Sequence, residues 1–413
     1  MTAVASWARM LFVGDRAGIL VLPTSTEGQQ GPVAAWLSTA GWASAVTRVL
    51  GEAWIATTSG IVDPREARRR GSAPVLSSAS ASTWHRRIPT PAKTGFKDIR
   101  QWRRARHFSV DPDGPWRGRD IAFVWQRHEL FHDAGLRLAQ TLGVPSVLFV
   151  PATQVWEAGQ WGVRRPGWNG WLERHGEKPA LRGAGLVACG SELVAQQARR
   201  LGVKEERILI TPTGVDLDLF GRAGRDGDTG ALREQLGLTD RFVIGWVGSF
   251  RPFHALEVAV EAAANVHGAA LLLIGDGPER ARVEALARDR GVHLVTTGTV
   301  PHVELPAYLD VMDVGLVLAA QGQTYHYSPL KLGEYLAAGL PVVAPRIEQI
   351  AERLTDGVDA ILVPPGDQNA LTESLIRLRD EPARRAQLSA AAESVATQWS
   401  WDRQIERILT AIE

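Results

Sequence analysis

A segment in the C-terminal third of the chain combines a polar loop, a lysine and a glutamate. Residues 325–344 read YHYSPLKLGEYLAAGLPVVA, which is a loop followed by a helical pattern and an apolar run. Lys331 and Glu334 are three residues apart, so they share one face of that helix. Together with the backbone amides of Ser328 to Leu330, the ammonium can hold a diphosphate, while the carboxylate can accept hydrogen bonds from ribose hydroxyls. The same pair can instead be an exposed ion pair.

A glycine-containing loop supplies a second candidate for anion binding. The segment from Gly248 to His254, GSFRPFH, follows the apolar run FVIGWV and precedes the helical pattern ALEVAVEAAANV. A glycine lets the backbone approach a phosphate, the guanidinium of Arg251 can bind it through two hydrogen bonds, and a helix N-terminus adds a favourable dipole. The alternative is a solvated arginine in an ordinary loop. The GDG at 275–277 lacks the third glycine of a dinucleotide fingerprint, because that position is Arg280.

Patterns for metal ligands and nucleophiles are weak in this sequence. Cys189 is the single cysteine, which excludes an intrachain disulfide and a cysteine-based zinc site. His128 and His132 are four residues apart, but the glutamate between them stands at the wrong offset for an HExxH zinc site. We therefore predict no metal cofactor, and we interpret these histidines as core or acceptor-side residues.

The alternation of apolar and amphipathic segments predicts two similar α/β domains. From residue 242 onward, short apolar runs alternate with longer helical patterns, which indicates a parallel sheet covered on both faces. The N-terminal half repeats this less regularly, with an irregular stretch at about 61–118. We predict Rossmann-like, doubly wound domains that face each other across a cleft. Their bounds are a domain at 1–220, a linker at 221–237, a domain at 238–395, and a final helix at 396–413 that packs back across the domain junction.

Composition excludes several classes of protein. The chain has 413 residues, of which 45% are hydrophobic and 22% charged, as is typical of a globular protein with two or more domains. No apolar run reaches the roughly 20 residues that span a bilayer. Arg9, Asp15 and Arg16 interrupt the apolar start, where a secretory signal needs a continuous run. A net charge of +1 argues against nucleic acid as the main partner, and we expect a cytoplasmic protein.

Basic and aromatic residues concentrate in the N-terminal half. Residues 65–119 contain fourteen Lys or Arg against four Asp or Glu. Within this stretch, FKDIRQWRRARHF places Phe96, Ile99 and Trp102 on one helical face with arginines around them. Such a region can hold an anionic acceptor, contact an acidic membrane surface peripherally, or be a solvated basic surface. Twelve of the fifteen tryptophans precede the linker, which favours acceptor binding in the N-terminal domain.

The segment SPLKLGEYLAAGLPVVAP resembles the donor-binding signature of the family 4 retaining glycosyltransferases of GT-B fold, also called group 1 glycosyltransferases. The segments PTGVDLDLF, GWVGSFRPFHALE, LLLIGDGPER, VTTGTVPHVELPAYLDVMDVGLV and DGVDAILVPPGD resemble the same family in the same order. The resemblance covers nearly all of residues 185–413. It implies a GT-B fold in which Asp216 and Asp218, formally a DxD pair, belong to a structural turn.

The resemblance assigns roles to individual residues. It implies that Glu334 binds the nucleotide ribose, that basic residues near Arg251 and His254 contact the diphosphate, and that the backbone near Thr299 and Val300 faces the base. The predicted donor site comprises Gly248, Ser249, Phe250, Arg251, His254, Thr299, Val300, His326, Ser328, Pro329, Leu330, Lys331 and Glu334. Three positions depart from the family pattern: His326 replaces a glutamate, His254 a lysine and Thr213 an asparagine. On the acceptor side we place His128 and Glu157.

The function implied by the resemblance is metal-independent, retaining transfer of a sugar from a nucleoside diphosphate donor to a small-molecule or glycan acceptor. Arg251 and Lys331 are the predicted catalytic residues, because negative charge builds on the departing diphosphate. Two alternatives stay open. With His326 in place of the usual glutamate, the chain can be a non-catalytic GT-B subunit that binds a glycan or a partner transferase. It can also be another GT-B enzyme, such as a sugar-nucleotide epimerase or phosphorylase.

Overall fold

The computed structural model describes residues 16–23, 33–71, 90–163, 165–221, 229–323 and 329–413. They form two compact units. The first contains the described residues up to Thr213 together with Trp401–Glu413, and the second contains Gly214–Ser400. The chain therefore passes from one unit to the other twice.

The described part of the first unit contains a seven-stranded sheet in the order β3-β2-β1-β4-β5-β6-β7. Its strands are β1 (Arg16–Leu22), β2 (Gly51–Thr57), β3 (Gly60–Val62), β4 (Asp120–Arg127), β5 (Ser146–Val150), β6 (Leu186–Cys189) and β7 (Ile208–Ile210). All neighbouring strands are parallel except the β2–β3 pair. The central strands are mostly apolar because helices cover both faces of the sheet.

The helices of this unit are α1 (Val33–Leu50), α2 (Pro64–Gly71), α3 (Thr90–His107), α4 (Ala134–Leu142), α5 (Gln154–Gln160), α6 (Asn169–Leu172), α7 (Lys178–Gly183) and α8 (Glu192–Arg200). A π-helical turn at Glu173–Glu177 separates α6 from α7. Ser191 is the N-cap of α8, since its hydroxyl accepts a hydrogen bond from the backbone N–H of Val194.

Local predictions were wrong in two places. The stretch at 61–118, expected to be irregular, contains β3 and α2, whereas α3 confirms the helical face expected for Phe96, Ile99 and Trp102. The predicted linker at 221–237 contains a helix over Thr229–Gln235, while residues 222–228 lie outside the described part of the chain. These elements were not predicted because their sequences are charged or rich in glycine and lack an apolar periodicity. Their helices are stabilised by tertiary contacts instead.

The described part of the second unit has a six-stranded sheet in the order β10-β9-β8-β11-β12-β13, with every neighbouring pair parallel. Its strands are β8 (Phe242–Val247), β9 (Ala269–Ile274), β10 (Leu294–Gly298), β11 (Val314–Leu316), β12 (Val342–Pro345) and β13 (Ile361–Val363). The strand order reverses between β8 and β11. The loops that leave the carboxyl ends of these two strands are therefore neighbours, which is the usual ligand position in such sheets.

The helices of the second unit are α9 (Leu217–Phe220), α10 (Thr229–Gln235), α11 (Leu256–Ala263), α12 (Arg280–Asp289), α13 (Leu305–Asp310), α14 (Leu330–Ala337), α15 (Glu348–Ala351), α16 (Gln368–Asp380) and α17 (Pro382–Gln398). Helix α14 is buried on most sides, including Leu332 and Tyr335. The hydroxyl of Tyr335 accepts a hydrogen bond from the backbone N–H of Val247 at 2.8 Å, which ties α14 to the end of β8.

A last helix, α18 (Trp401–Ile412), belongs to the first unit and packs on α1. The ring of Trp401 lies 5.0 Å from that of Trp42 between centroids. At Gly41, an added Cβ would lie 2.4 Å from the Trp401 indole nitrogen, so only a glycine fits there. Across the helices of the described residues, none has the length and apolarity that a membrane span requires.

Candidate functional site

The candidate site lies at the carboxyl end of β8, where the loops that follow β8 and β9 approach each other through their backbones. Gly248, directly after β8, has φ 151°. An added Cβ at Gly275 would lie 1.9 Å from the carbonyl oxygen of Gly248, and one at Gly277 would lie 2.7 Å from that of Phe250. Glycine at 275 and 277 is therefore a packing requirement for this pair of loops.

Lys331, in the first turn of α14, points its ammonium at the end of β8. Its Nζ lies 4.1 Å from the ring centroid of Trp246, a cation–π contact. A Cβ at Gly248 would lie 3.0 Å from the same nitrogen, so the missing side chain leaves room for the ammonium. Desolvation lowers the pKa of Lys331 to about 7, against the opposing pull of the Glu334 carboxylate. This lysine is poised to gain a proton when an anion arrives.

Glu334, one turn further along α14, does not form an ion pair with Lys331 in the structure. Its Oε1 lies 2.8 Å from Nε2 of His302, and the residue is only 6% exposed. The His302 ring in turn packs edge-on against Phe220, with centroids 5.2 Å apart. Among the residues that the structure describes, Oε2 of Glu334 has no hydrogen-bond partner, so it can accept bonds from ligand hydroxyls. The ring of His302 fixes the carboxylate for that purpose.

Arg251 and His254 lie in the same loop but differ in their surroundings. Arg251 is exposed, and its guanidinium makes no hydrogen bond or ion pair with the described part of the chain. His254 is buried between Trp246 and Phe253, with ring centroids at 5.3 and 4.3 Å. Burial and the nearby charges of Lys331 and Arg251 lower the pKa of His254 to about 2. The imidazole is thus neutral and can offer a hydrogen bond, whereas Arg251 and Lys331 provide the positive charge.

The other predicted donor residues occupy varied positions. Ser249 and Thr299 are exposed at the ends of β8 and β10, and Val300 packs partly against the core. Phe250 is fully buried and both of its backbone groups bond within the chain, to Asp276 and Glu279, so it supports the loop. Pro329 and Leu330 form the start of α14. His326 and Ser328 lie outside the described residues.

The predicted acceptor-side residue His128 belongs to a buried polar group at the carboxyl end of β4. Its Nε2 lies 3.4 Å from Oε1 of Glu177, and both side chains are fully buried. The same oxygen accepts the backbone N–H of Gln154. Glu157 is partly buried nearby, and its charge acts on Arg127. His128 and Glu157 thus lie in one region of the first unit.

The neighbours of His128 were missed by sequence reasoning. Burial raises the pKa of Glu129, whose carboxylate accepts a hydrogen bond from the Gln154 side chain. Burial lowers the pKa of Arg127, which lies 3.9 Å from Glu129. The only available signal was position, since residues 127–129 follow directly on a buried strand. In the second unit, the role of His302 as the partner of Glu334 was also missed. The only signal for it in the sequence was its position shortly after β10.

Acidic residues that formally match a cation-binding pattern have structural partners. Asp216 caps α9, and its Oδ1 accepts hydrogen bonds from the backbone N–H groups of Asp218 and Leu219 at 3.1 and 3.3 Å. Within the described ranges, no group of three or more His, Cys, Asp or Glu side chains is arranged to hold a metal ion.

Comparison with known proteins identifies the donor-side unit. The model of the family described as Glycosyl transferases group 1 matches residues 241–381, which include Gly248, Arg251, His302, Lys331 and Glu334. Over these residues the chain is similar to the group 1 glycosyl transferases. The match spans β8 to the end of α16 and thus both loops of the candidate site.

Relatives and solved structures agree with this family. The chain is 29% identical to the 2-deoxystreptamine glucosyltransferase of Streptomyces kanamyceticus, over 54% of this chain and 59% of the relative. It is 30% identical to the D-inositol 3-phosphate glycosyltransferase of Thermomonospora curvata, over 57% of this chain and 58% of the relative. It spans less than two thirds of each.

A solved structure matches almost the whole chain. Anabaena HepE in complex with UDP-glucose superposes with a TM-score of 0.64 at 17% identity, over 95% of this chain and 99% of that chain. At this identity the match establishes the fold alone. The chain has the GT-B fold, with two Rossmann-like α/β units.

Proposed function

We propose that this chain transfers a sugar, with retention at the anomeric carbon and without a metal ion, from a nucleoside diphosphate donor to a small-molecule or glycan acceptor. The observation that carries the proposal is the arrangement of Lys331, Gly248 and Glu334. A cation over an open glycine loop, beside a carboxylate with a free oxygen, matches a diphosphate followed by a ribose. The group 1 match over the same residues supports this donor class.

The proposed chemistry is electrostatic. As the bond between the anomeric carbon and the diphosphate breaks, negative charge collects on the departing phosphate, where Lys331 and Arg251 stabilise it. The acceptor oxygen forms its new bond to the same face of the anomeric carbon. Its proton passes to the departing phosphate oxygen, so the step balances without a protein nucleophile. The amount of charge stabilisation decides the rate, because each ~1.4 kcal/mol changes it tenfold.

Names of similar proteins support, without fixing, the substrate classes. One similar structure holds UDP-glucose, and the two relatives act on 2-deoxystreptamine and on D-inositol 3-phosphate by their names. Both acceptors are cyclic polyols or amino polyols. We therefore propose UDP-glucose as the first donor and a cyclic polyol as the first acceptor class to assay.

The donor proposal is tested by thermal unfolding with UDP-, GDP-, ADP- and dTDP-glucose in EDTA, for the wild type and Glu334→Gln. Ligand at about a hundred times its Kd stabilises the folded state by roughly 2.7 kcal/mol, which raises Tm by several degrees. We expect a shift with one nucleotide and its loss in Glu334→Gln. Glu304→Gln, an exposed change in the same unit, is the matched control. No shift with any nucleotide, or an equal shift in Glu334→Gln, would contradict the proposal.

Turnover separates the proposed transferase from its alternatives. In the presence of EDTA and a cyclic polyol, we expect release of nucleoside diphosphate that depends on the acceptor. The anomeric configuration of the product, read by NMR coupling constants, must match that of the donor. Product formed without an acceptor, or only with inorganic phosphate, would instead indicate an epimerase or a phosphorylase. Inversion would contradict the retaining mechanism.

We also propose that α3 contacts an anionic membrane surface. On the buried face of this helix, Asp98 forms an ion pair with Arg165, with Nε and Oδ2 2.9 Å apart. On the opposite face Phe96 is 63% and Ile99 49% exposed. Five Lys or Arg side chains are exposed along the described part of this helix: Lys97, Arg100, Arg103, Arg104 and Arg106. Exposed apolar side chains among cations favour the interface of an acidic bilayer.

Vesicle sedimentation tests this contact. The wild type should bind phosphatidylglycerol vesicles more tightly than phosphatidylcholine vesicles, and Phe96→Ser with Ile99→Ser should weaken that binding several-fold. Val303→Ser, an exposed apolar residue of the other unit, is the control for lost surface hydrophobicity. Equal binding of both vesicle types would overturn the contact.

A further inference from the structure

A cavity of about 400 Å³ lies in the first unit beside α3. Residues of α3, of the segment after β4, of α4 and of the π-helical turn line it; those used below are Trp102, Arg106, Phe131, His132, Arg137 and His175. We call this the α3 cavity. Its volume is in the range of pockets that hold small molecules. It is separate from the candidate donor site, which belongs to the second unit.

The α3 cavity has a cation without an anionic partner. The guanidinium of Arg106 lies 4.9 Å from the ring centroid of Trp102 and makes no hydrogen bond or ion pair with the described residues. Arg137 is already occupied, because it pairs with Asp133 and donates to the backbone carbonyl of Phe108. Arg106 therefore remains available to bind an anion, and its planar fork suits a phosphate or carboxylate.

The α3 cavity is also lined by His132, a buried residue with a ring nitrogen that has no partner among the described residues. His132 is 5% exposed, and its Nδ1 is buried without a hydrogen bond. Its ring packs edge-on against Phe108, with centroids 5.8 Å apart. Burial, together with the charges of Arg137 and His128, lowers the pKa of His132 to about 4. A neutral imidazole has one donor and one acceptor nitrogen, which fits a hydroxyl rather than a second anion.

Two unusual backbone conformations meet at the wall of the α3 cavity. Phe131 has φ 70°, in the left-handed region that side chains rarely adopt. Its N–H donates to the carbonyl of Gly176 at 2.8 Å, and Gly176 lies in the π-helical turn. Left-handed non-glycine residues and π-helical turns both concentrate at functional sites. Here they place the Phe131 ring and His175 on the cavity wall.

We propose that the α3 cavity binds a ring-shaped ligand that carries an anionic group, a phosphate or a carboxylate on a cyclic polyol. Arg106 contacts the anion, Trp102 and Phe131 contact the ring, and His132 bonds a hydroxyl. We assign this ligand as the acceptor, and that assignment rests on the proposed function. The binding itself does not, because it can be measured without donor. The anionic ring can be a free sugar phosphate or a lipid headgroup.

Calorimetry with glucose 6-phosphate, glucose and inorganic phosphate tests the site in the wild type and in two variants. Arg106→Gln removes the unpaired cation. Arg103→Gln removes the same charge from the same helix but does not line the α3 cavity. We expect glucose 6-phosphate to bind best, at least about 10-fold more weakly in Arg106→Gln, and within about twofold of the wild type in Arg103→Gln. Equal losses in both variants would overturn the site.

A vesicle arm distinguishes the two sources of the anion. Phosphatidylcholine vesicles with and without phosphatidylinositol are sedimented with the same three proteins. Binding of soluble glucose 6-phosphate that depends on Arg106 indicates a free ligand. Binding of phosphatidylinositol vesicles alone, with a larger loss in Arg106→Gln than in Arg103→Gln, indicates a headgroup. Either result supports the anion site, and the absence of both would overturn it.

Donor binding keeps this inference separate from the proposed function. We expect the UDP-glucose response of Arg106→Gln to equal that of the wild type, which also shows that the variant is folded. If glucose 6-phosphate binds through Arg106 and no nucleotide sugar binds, the anion site stands and the proposed function fails. If UDP-glucose binds and no anionic ring ligand binds, the proposed donor binding stands and the anion site fails.

Discussion

The two sheets of this chain end in polar clusters of opposite character. At the carboxyl end of β8, the charges of Lys331 and Arg251 have no ionic partner among the described residues, and glycines leave space beside them. At the carboxyl end of β4, His128 and Glu177 are buried and bonded to each other. The first cluster is arranged to receive a charged group. In the second, the imidazole and the carboxylate pair with each other, while Nδ1 of His128 and Oε2 of Glu177 have no hydrogen-bond partner among the described residues. A fixed ligand portion, such as a diphosphate, accounts for the first arrangement.

Replacing the buried lysine gives the largest expected effect on this contrast. Lys331→Met should lower turnover by about 10²–10³-fold, because it removes a cation that acts on the departing diphosphate. It should also raise Tm at pH 7. The pKa of Lys331 falls from 10.5 to about 7 on folding. The unfolded chain therefore binds more protons between these values, the free energy of unfolding rises with pH across that window, and the charged lysine destabilises the fold below it.

Differential scanning calorimetry and a nucleotide-release assay measure the two consequences of Lys331→Met. Lys204→Met, at an exposed lysine of the first unit, is the control and should change neither quantity. A loss of Tm in Lys331→Met would show that the ammonium stabilises the fold, and the contrast between the two clusters would then be wrong.

Filling the glycine loop is expected to have the next largest effect. Gly248→Ala adds a Cβ that lies 3.0 Å from Nζ of Lys331, at a backbone φ of 151°. We expect a loss of about 1–3 kcal/mol in the free energy of unfolding and a donor Kd raised roughly tenfold. Gly268→Ala also has a positive φ, of 75°, but its Cβ would meet nothing within 4 Å. Urea titration and calorimetry should show lost stability in both variants and lost affinity only in the first.

The pH dependence of donor binding sharpens the role of Lys331. The free protein has a Lys331 pKa of about 7, and a bound diphosphate raises it, so binding takes up a proton near neutral pH. Affinity should fall several-fold as the pH rises from 7 to the pKa of the complex. Calorimetry in two buffers of different ionisation enthalpy measures the uptake. Lys331→Arg, which stays charged, should bind with no uptake from this position, and uptake that persists there would contradict the assignment.

The smallest effect is expected at the paired cluster. Glu177→Gln should reduce the free energy of unfolding by about 1–3 kcal/mol, because it disturbs the buried bonds to His128 and the Gln154 backbone. Donor affinity should stay unchanged. Glu173→Gln, which breaks the more exposed pair with Arg200, should cost less than about 1 kcal/mol. Urea denaturation measures the free energy of unfolding of both variants. A changed UDP-glucose Kd in Glu177→Gln would contradict the claim that the β4 cluster does not affect donor binding.

The sequence predicts the second unit well because its backbone restricts residue types. The strands follow from apolar runs, and glycines at 248, 275 and 277 are required by close loop approach. Lys331 and Glu334 were identified from their spacing. Their partners were not, because the cation–π contact with Trp246 and the hydrogen bond from His302 join residues distant in sequence.

The first unit was harder to predict because its elements are held by contacts between side chains that are distant in sequence, rather than by backbone positions that restrict the residue type. Helix α3 has few apolar residues to pack, and its position depends on one buried carboxylate, Asp98, that bonds to Arg165 and to the Trp168 indole. No spacing rule relates residue 98 to residues 165 and 168. The polar group around His128 likewise joins side chains from β4, α5 and the π-helical turn.

The return of α18 to the first unit has a consequence for synthesis. Residues 214–400 of the second unit are continuous, and Trp401, with which the chain returns to the first unit, is made only after all of them. The N-terminal unit, although made first, lacks the tryptophan that covers Trp42 until the final helix emerges. The half of the chain that is translated first is therefore finished last, and a stop a few residues before Trp401 would leave its α1 face uncovered.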